Sequence, residues 1–376
     1  MKAVTNGQLV LPERIIPSGT LVFDDERVIW AGDAAEYALP RQCEVIDVGG
    51  AYIVPGFIDI HCHGGGGFRC EEDPVSMAVH HLKHGTTSLL CSIAYGLDHQ
   101  GFLDAIGRIT DAWKNSQPGS IEGIHMEGPY MAPGYGARSK GRGIYPVVRE
   151  EYEQIAEASS GCLRQWTFSP ELDDLEEFAD FARSRGIALA MGHSAAGPED
   201  VLKFYRKGAR IITHLFDATG CSTGRENRGG VRDPWFDECC MILEGMYAEV
   251  IPDQQGVHVR PQMLSMALKT MGEQYLCIIT DATGEQVTED GRDIRINEQG
   301  ELSGSKMTMD MACRNFMNHT GADIRQVSRM ASANPARALN IYDRTGSLEA
   351  GKQADFLITD QQLQPGRIFL RGEEIT

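Results

Sequence analysis

A chain of 376 residues, 42% hydrophobic and with 42 glycines, is long enough for a barrel of about 250 residues plus a smaller attachment, and too apolar for disorder. Its 35 basic residues against 53 acidic ones give a formal net charge of −18, which argues against a nucleic-acid partner while leaving room for a small anionic substrate in a locally basic pocket. The ten cysteines include no Cys-x-x-Cys pair and read as reduced thiols. Charged residues such as the Asp24-Asp25-Glu26-Arg27 run break every apolar stretch, so neither signal peptide nor membrane span is expected and the expected compartment is the cytoplasm.

In chain order, residues 1 to about 50 read as short strands and turns, with Gly19-Thr-Leu-Val-Phe23 and Arg27-Val-Ile-Trp30 as examples. From Tyr52 to about Ile341 short apolar runs alternate with helical stretches such as Asp173–Ser184 and Pro198–Lys207, the grammar of βα units. The runs are Ile53–Ile60, Thr86–Ile93, Ile121–Met126, Leu163–Phe168, Ile187–Met191, Arg210–Thr213, Met246–Ile251 and Tyr275–Thr280. Eight of them predict an α/β fold, a (β/α)8 TIM barrel over 53–344. The tail returns to strand-like text at Ala354-Asp-Phe-Leu-Ile-Thr359 and Arg367-Ile-Phe-Leu370. It therefore predicts a small β-sandwich domain formed by the N- and C-terminal segments, 1–52 and 345–376.

In a parallel barrel the C-terminal strand ends form the active-site face. His61-Cys62-His63 follows the first run, and His125-Met-Glu127 the third. Gly192-His193-Ser194 follows the fifth, His214 the sixth and Asp281 the eighth. His61 and His63, two apart on a strand, share a face; alone, the pair is weak evidence, since buried hydrogen-bonded histidines do the same. Glu127, His193 and His214 are a stronger set: one carboxylate and two neutral imidazoles suit Zn2+ or Fe2+ with an open position for water. A carboxylate at Asp281, beside an activated water, can take its proton and pass it to a leaving amine; otherwise Asp281 is a turn residue.

The chain resembles the N-acetylglucosamine-6-phosphate deacetylase family of the amidohydrolase superfamily. The likeness runs through Pro55-Gly-Phe-Ile-Asp-Ile-His-Cys-His-Gly-Gly-Gly-Gly67, His125-Met-Glu-Gly-Pro-Tyr130, Gly192-His-Ser194 and Thr213-His-Leu-Phe216. It continues in Leu302-Ser-Gly-Ser-Lys-Met-Thr-Met-Asp310, Ser332-Ala-Asn-Pro-Ala-Arg-Ala338 and Gly351-Lys-Gln-Ala-Asp355. The resemblance implies that Glu127, His193 and His214 are the main metal ligands, that His61 and His63 match a pair holding a second metal in some members, and that Asp281 is catalytic. One or two divalent ions per chain are thus expected. Substrate contacts are implied at His258, Asp217, Ala218 and Arg225, the last sometimes serving a neighbouring subunit, so a homodimer is expected.

Three departures fall in the substrate pocket. The family's His-Leu-Phe-Asn-Ala-Met reads His214-Leu-Phe-Asp217-Ala-Thr219 here, and Asp253-Gln-Gln-Gly-Val-His258 is two residues longer than the usual Asp-Gly-x-His. Lys140-Gly-Arg-Gly-Ile144, the third, lacks the usual histidine; besides these three, Glu226-Asn-Arg-Gly-Gly230 departs from the usual Glu-Pro-Gly. A carboxylate at Asp217 roughly 5 Å from a phosphate charge would cost about 3 kcal/mol at an effective dielectric of 20. Either Asp217 pairs with Arg225 or Arg228, or the ligand is not a sugar phosphate. The leading expectation is deacetylation of an N-acetyl amino sugar 6-phosphate. The alternative is the same reaction on another N-acyl substrate, unphosphorylated or differently configured, and a third reading is a non-catalytic binding protein on the same fold.

Overall fold

The structure, a computed structural model, describes residues 1–115, 119–136, 146–220, 233–287 and 291–375. Strands β1 (Lys2–Leu11), β2 (Arg14–Asp24) and β3 (Arg27–Asp33) pair antiparallel, while β4 (Glu44–Asp47) and β5 (Tyr52–Pro55) run parallel to β1. The barrel follows: β6 (Phe57–Cys62), a small hairpin of β7 (Gly64–Gly65) and β8 (Phe68–Arg69), then β9 (Thr86–Ala94), β10 (Ile121–Glu127) and β11 (Leu163–Phe168). Strands β12 (Ala188–Met191), β13 (Ile211–Ile212), β14 (Tyr247–Val250) and β15 (Leu276–Ile278) continue it. A second hairpin, β16 (Ile294–Ile296) and β17 (Leu302–Ser305), precedes the terminal strands β18 (Phe356–Thr359), β19 (Pro365–Leu370) and β20 (Glu373–Ile375).

The eight barrel strands stand in one parallel sheet, in the order β6, β9, β10, β11, β12, β13, β14, β15. Every residue of β6 and of β10 is buried. Strands covered on both faces have no solvent side to mark, so their polar members are buried as well: Asp59 and His61 in β6, and Glu122, His125 and Glu127 in β10. Helices cover the outside with one stripe each. α1 (Pro74–Leu82), α2 (His99–Asn115) and α3 (Arg149–Ala158) come first, followed by α4 (Leu175–Ser184) and α5 (Pro198–Arg206). α6 (Phe236–Met241), α7 (Pro261–Met271) and α8 (Met309–Thr320) complete the set used below. α4 buries Leu175, Phe178, Ala179 and Ala182, the spacing of a single helical face, and Phe178 meets Tyr130, Trp166 and Phe168 edge-on. Among the described residues no helix is long and apolar enough to cross a membrane.

Closure is made at the functional end. Asp281 donates its backbone N–H to the His61 carbonyl at 2.9 Å, and Cys62 bridges Ala282 in parallel register. Below them the Thr280 hydroxyl donates to the fully buried Asp59 carboxylate at 2.6 Å. Burial pushes Asp59 up to about 7, with the bonds from Thr280 and from the His61 backbone pulling the other way.

The first apolar run is two strands, not one. β5 belongs to the terminal sheet, where Val54 faces Leu357 of β18, and the barrel begins at Phe57. The break is Gly56, where any β-carbon would collide with Thr87. The terminal sheet has its own core, including Val4, Leu9, Phe23, Ile53, Phe356 and Phe369, in which Phe356 stacks on Phe369 at 4.3 Å.

Thr280→Val removes the hydroxyl that serves Asp59 while keeping the shape. It should destabilise the fold by about 1–3 kcal/mol, the cost of a buried carboxylate short of a donor. A lowered thermal midpoint reads this; an unchanged one would show that closure does not depend on the Asp59 bond.

Candidate metal centre

Glu127 ends β10, and His61 lies within β6 with His63 just beyond it. His193, His214 and Asp281 follow β12, β13 and β15. All six are gathered at one end of the barrel, as the run ends predict. His193, His214 and Asp281 have left-handed backbones (φ 49°, 28° and 47°). This region is costly for residues other than glycine and persists where the surroundings over-determine it. It turns each side chain inward immediately after a strand.

Four imidazoles are held the same way. His193 donates from Nδ1 to the Tyr135 carbonyl at 3.0 Å, and His214 from Nδ1 to the Asp217 carbonyl at 3.1 Å. His63 donates from Nδ1 to the Ser92 carbonyl at 2.8 Å, and His61 from Nδ1 to the Glu249 carboxylate at 3.0 Å. A neutral ring that donates from Nδ1 carries a lone pair on Nε2. Yet Nε2 of His193 faces Nε2 of His214 at 3.0 Å, and Nε2 of His61 faces that of His63 at 3.2 Å. Glu127 sits between the pairs, with Oε1 2.9 Å from His193 and 3.3 Å from His214, and Oε2 3.4 Å from His63. With every ring neutral, acceptors converge without a donor among them. Two sets result, Glu127-His193-His214 and His61-His63-Glu127, each with its ligand atoms within 4.8 Å of one another. Lone pairs packed so closely repel unless a cation lies between them, and N and O donors of this kind suit a divalent transition ion.

The charge pattern agrees. Burial alone would drive protons off His214, but Glu127 and Asp217 outweigh it and raise this imidazole to about 9. Burial alone would raise Glu127, but His193 and His61 hold it well below the usual carboxylate range. The site demands positive charge, and a proton or a metal ion answers the same demand. Asp281 stands 3.2 Å from Nε2 of His63, and despite burial its bonding to His63 lowers it below the usual carboxylate value.

A cavity of about 320 Å³ opens onto these groups and is walled further by Asp217, Ala218, Arg69 and Arg295. That volume is at the lower end of small-ligand pockets. Asp237 of α6 accepts from the Phe216 N–H at 3.0 Å and from the Thr219 hydroxyl at 2.5 Å, clamping the turn that carries Asp217 and Ala218. His258 lies buried ahead of α7. The lengthened Gln254-Gln255 segment is drawn in by Asp253, which accepts from the Val257 and His258 N–H groups and contacts Nδ1 of His258 at 3.2 Å. Nε2 of His258 is buried with no partner among the described residues. Arg225, Arg228 and the Lys140–Ile144 segment lie outside the described residues.

Reading the sequence by run ends misses Asp59, Glu249 and Asp237. Glu249 had a signal: it is the lone charge inside the apolar run Met246–Ile251. Asp237, on a helix, had none.

The profile of the amidohydrolase family matches residues 52–373. The chain is similar to N-acetylglucosamine-6-phosphate deacetylase of Bacillus subtilis (strain 168), 27% identical over 355 residues, covering 89% of this chain and 87% of that protein. It is also similar to N-acetylgalactosamine-6-phosphate deacetylase of Escherichia coli O157:H7, 26% identical over 371 residues and covering 93% and 94% of the two chains. Among solved structures it resembles N-acetyl-D-glucosamine-6-phosphate deacetylase from Mycobacterium smegmatis in complex with N-acetyl-D-glucosamine-6-phosphate. The TM-score is 0.84 at 26% identity, with 99% of this chain and 98% of that one covered.

Purified protein should contain divalent transition metal by elemental analysis, and Glu127→Ala should lose it. Because a proton competes at His214 up to about 9, apparent metal affinity should rise with pH through the neutral range and flatten above it. Chelator competition at several pH values reads the slope, and a flat profile would show that these imidazoles are not the ligands.

Proposed function

The chain belongs to the amidohydrolase family, and on that premise we propose that it is a metal-dependent deacetylase of an N-acetyl amino sugar 6-phosphate, releasing acetate and the free amine. It is a hydrolase of carbon–nitrogen bonds. The observation that carries the reading is the meeting of four imidazole lone pairs and Glu127 beside Asp281, with His63, His193, His214, Glu127 and Asp281 lining the cavity. Zn2+ or Fe2+ held by Glu127, His193 and His214, with a second position at His61 and His63, would polarise the acyl carbonyl and acidify water.

The chain's own groups supply the rest. Asp281, kept ionised, takes the proton of the attacking water and returns it to the departing amine. Burial would lower His258, but Asp253, Asp217 and Asp281 raise it, so its unpartnered Nε2 is a donor for a substrate oxygen. Relatives named for both gluco- and galacto-configured substrates support a phosphorylated amino sugar without choosing the configuration. Arg225 is proposed, by resemblance, to reach the phosphate within a homodimer.

One observation favours a second reading. Asp217 lines the cavity and raises His214 and His258, so it faces the space a substrate would fill. A carboxylate there suits a neutral N-acyl sugar whose hydroxyls it could accept from better than a phosphate.

Acetate release from a panel of N-acetyl hexosamines, with and without a 6-phosphate, tests the function. No release from any of them would sink it. Asp281→Asn should lower kcat by about 10²-fold or more while metal content holds; a variant within tenfold of wild type would show that another group moves the proton. Asp217→Asn should lower KM for the phosphorylated substrate at similar kcat if the carboxylate merely repels phosphate. A raised KM for the unphosphorylated sugar instead would favour the second reading.

A further inference from the structure

Glu249 is fully buried in β14, inside the barrel wall, and takes no part in the chemistry above. Its Oε2 accepts from His61 Nδ1 at 3.0 Å and from the His214 backbone N–H at 3.3 Å. Its Oε1 accepts from the Gln165 amide at 2.7 Å. Among the described residues, the only basic side chain within ion-pair distance of it is His61. A carboxylate taken out of water with only neutral donors is expensive, and it persists when a positive charge lies close by. Here a proton or a metal ion can supply it on the far side of the His61 ring, where Nε2 faces Glu127 at 3.4 Å and His63 at 3.2 Å.

Charge counting points the same way. Glu127, Asp281 and Glu249 are three buried carboxylates whose nearest basic groups, among the described residues, are imidazoles. One divalent ion leaves a net negative charge in the barrel end. Two outweigh these three charges.

We propose that Glu249 is the positioning residue that makes the His61–His63 position bind a second divalent ion, by fixing His61 with its proton on Nδ1 and supplying the buried negative charge behind it. This rests on the metal-dependent reading above and deepens it. The carboxylate–imidazole pair makes Nε2 a better donor, and losing such a partner typically weakens metal affinity about 10–100-fold. The ion at Glu127, His193 and His214 feels Glu249 only through a backbone N–H, so the effect falls on one ion of the two.

The test is metal titration of the whole chain, with Mn2+ as probe. Stoichiometry is read by elemental analysis, and pairing by electron paramagnetic resonance, where adjacent ions give an exchange-coupled spectrum. Wild type should bind two ions and show coupling. Glu249→Gln keeps the shape and removes the charge; it should hold the first ion at wild-type affinity, bind the second 10–100-fold more weakly, and lose the coupled signal at limiting metal. A purely structural role would lower thermal stability and weaken both ions alike, which overturns the proposal. So does a variant that keeps both ions unchanged, or a wild type that binds one ion. Should the glutamine variant not fold, Glu249→Asp decides: the charge remains at shorter reach, and the second ion alone should weaken. A wild type that binds no metal refutes the metal-dependent reading instead.

Discussion

Nitrogen lone pairs do not share space willingly, and four of them meet Glu127 at the mouth of this barrel. The rest of the structure is arranged to keep them there. Each Nδ1 is engaged by an oxygen acceptor, three of them backbone carbonyls and one the Glu249 carboxylate, so every Nε2 is left facing the same small volume. Left-handed backbone at His193, His214 and Asp281 turns these side chains in where a relaxed chain would carry them past. Gly136 shows how tight the fit is: a β-carbon there would lie 2.6 Å from Nδ1 of His193. Closure of the barrel falls on the same strand, since β6 carries Asp59 and His61 and meets the β15 edge through both. Stability and site therefore draw on the same few contacts.

Much of this is legible in the residues. Strands buried on both faces are mostly apolar, so the eight runs stand out, and the histidines and carboxylates at their C-terminal ends fall on the barrel's open face. The boundary at Gly56 is marked in the sequence only by the Pro55-Gly56 pair, and the partner strands are what show that its two sides belong to different sheets. Glu249 is hidden for a related reason. A charge within an apolar run declares a buried carboxylate, but which imidazole it serves depends on strand pairing across the sheet. The role of Asp253 is similar: an insertion reads as a loop change, and only the structure shows Asp253 holding the backbone and ring of His258.

Retained chemistry and altered recognition also separate physically. The proposed ligands and Asp281 stand at strand ends, held by the sheet, whereas the described departures from the family pattern, at Asp217–Thr219 and Asp253–His258, lie on connections between strands and helices. Scaffold positions resist change because packing constrains them; loops accept it. Asp217 straddles the two. Its carbonyl belongs to the centre, where it holds His214, and its side chain belongs to the cavity. Substitution there can retune recognition without disturbing the backbone contact that orients the imidazole.

The terminal sheet has a consequence for biosynthesis. β5 pairs with β18, Tyr52 opposite Thr359, so the strands that begin the sheet wait for partners about three hundred residues later. At translation rates of about 5–20 residues per second, that is roughly 15–60 s in which β5, paired with β1 on one edge, has no strand on the other. The barrel's own strands pair with near neighbours in sequence and can assemble meanwhile. The nascent chain is thus a folding barrel trailing an open, apolar sheet edge, the kind of surface that nascent-chain chaperones cover and that a late truncation would leave exposed for good.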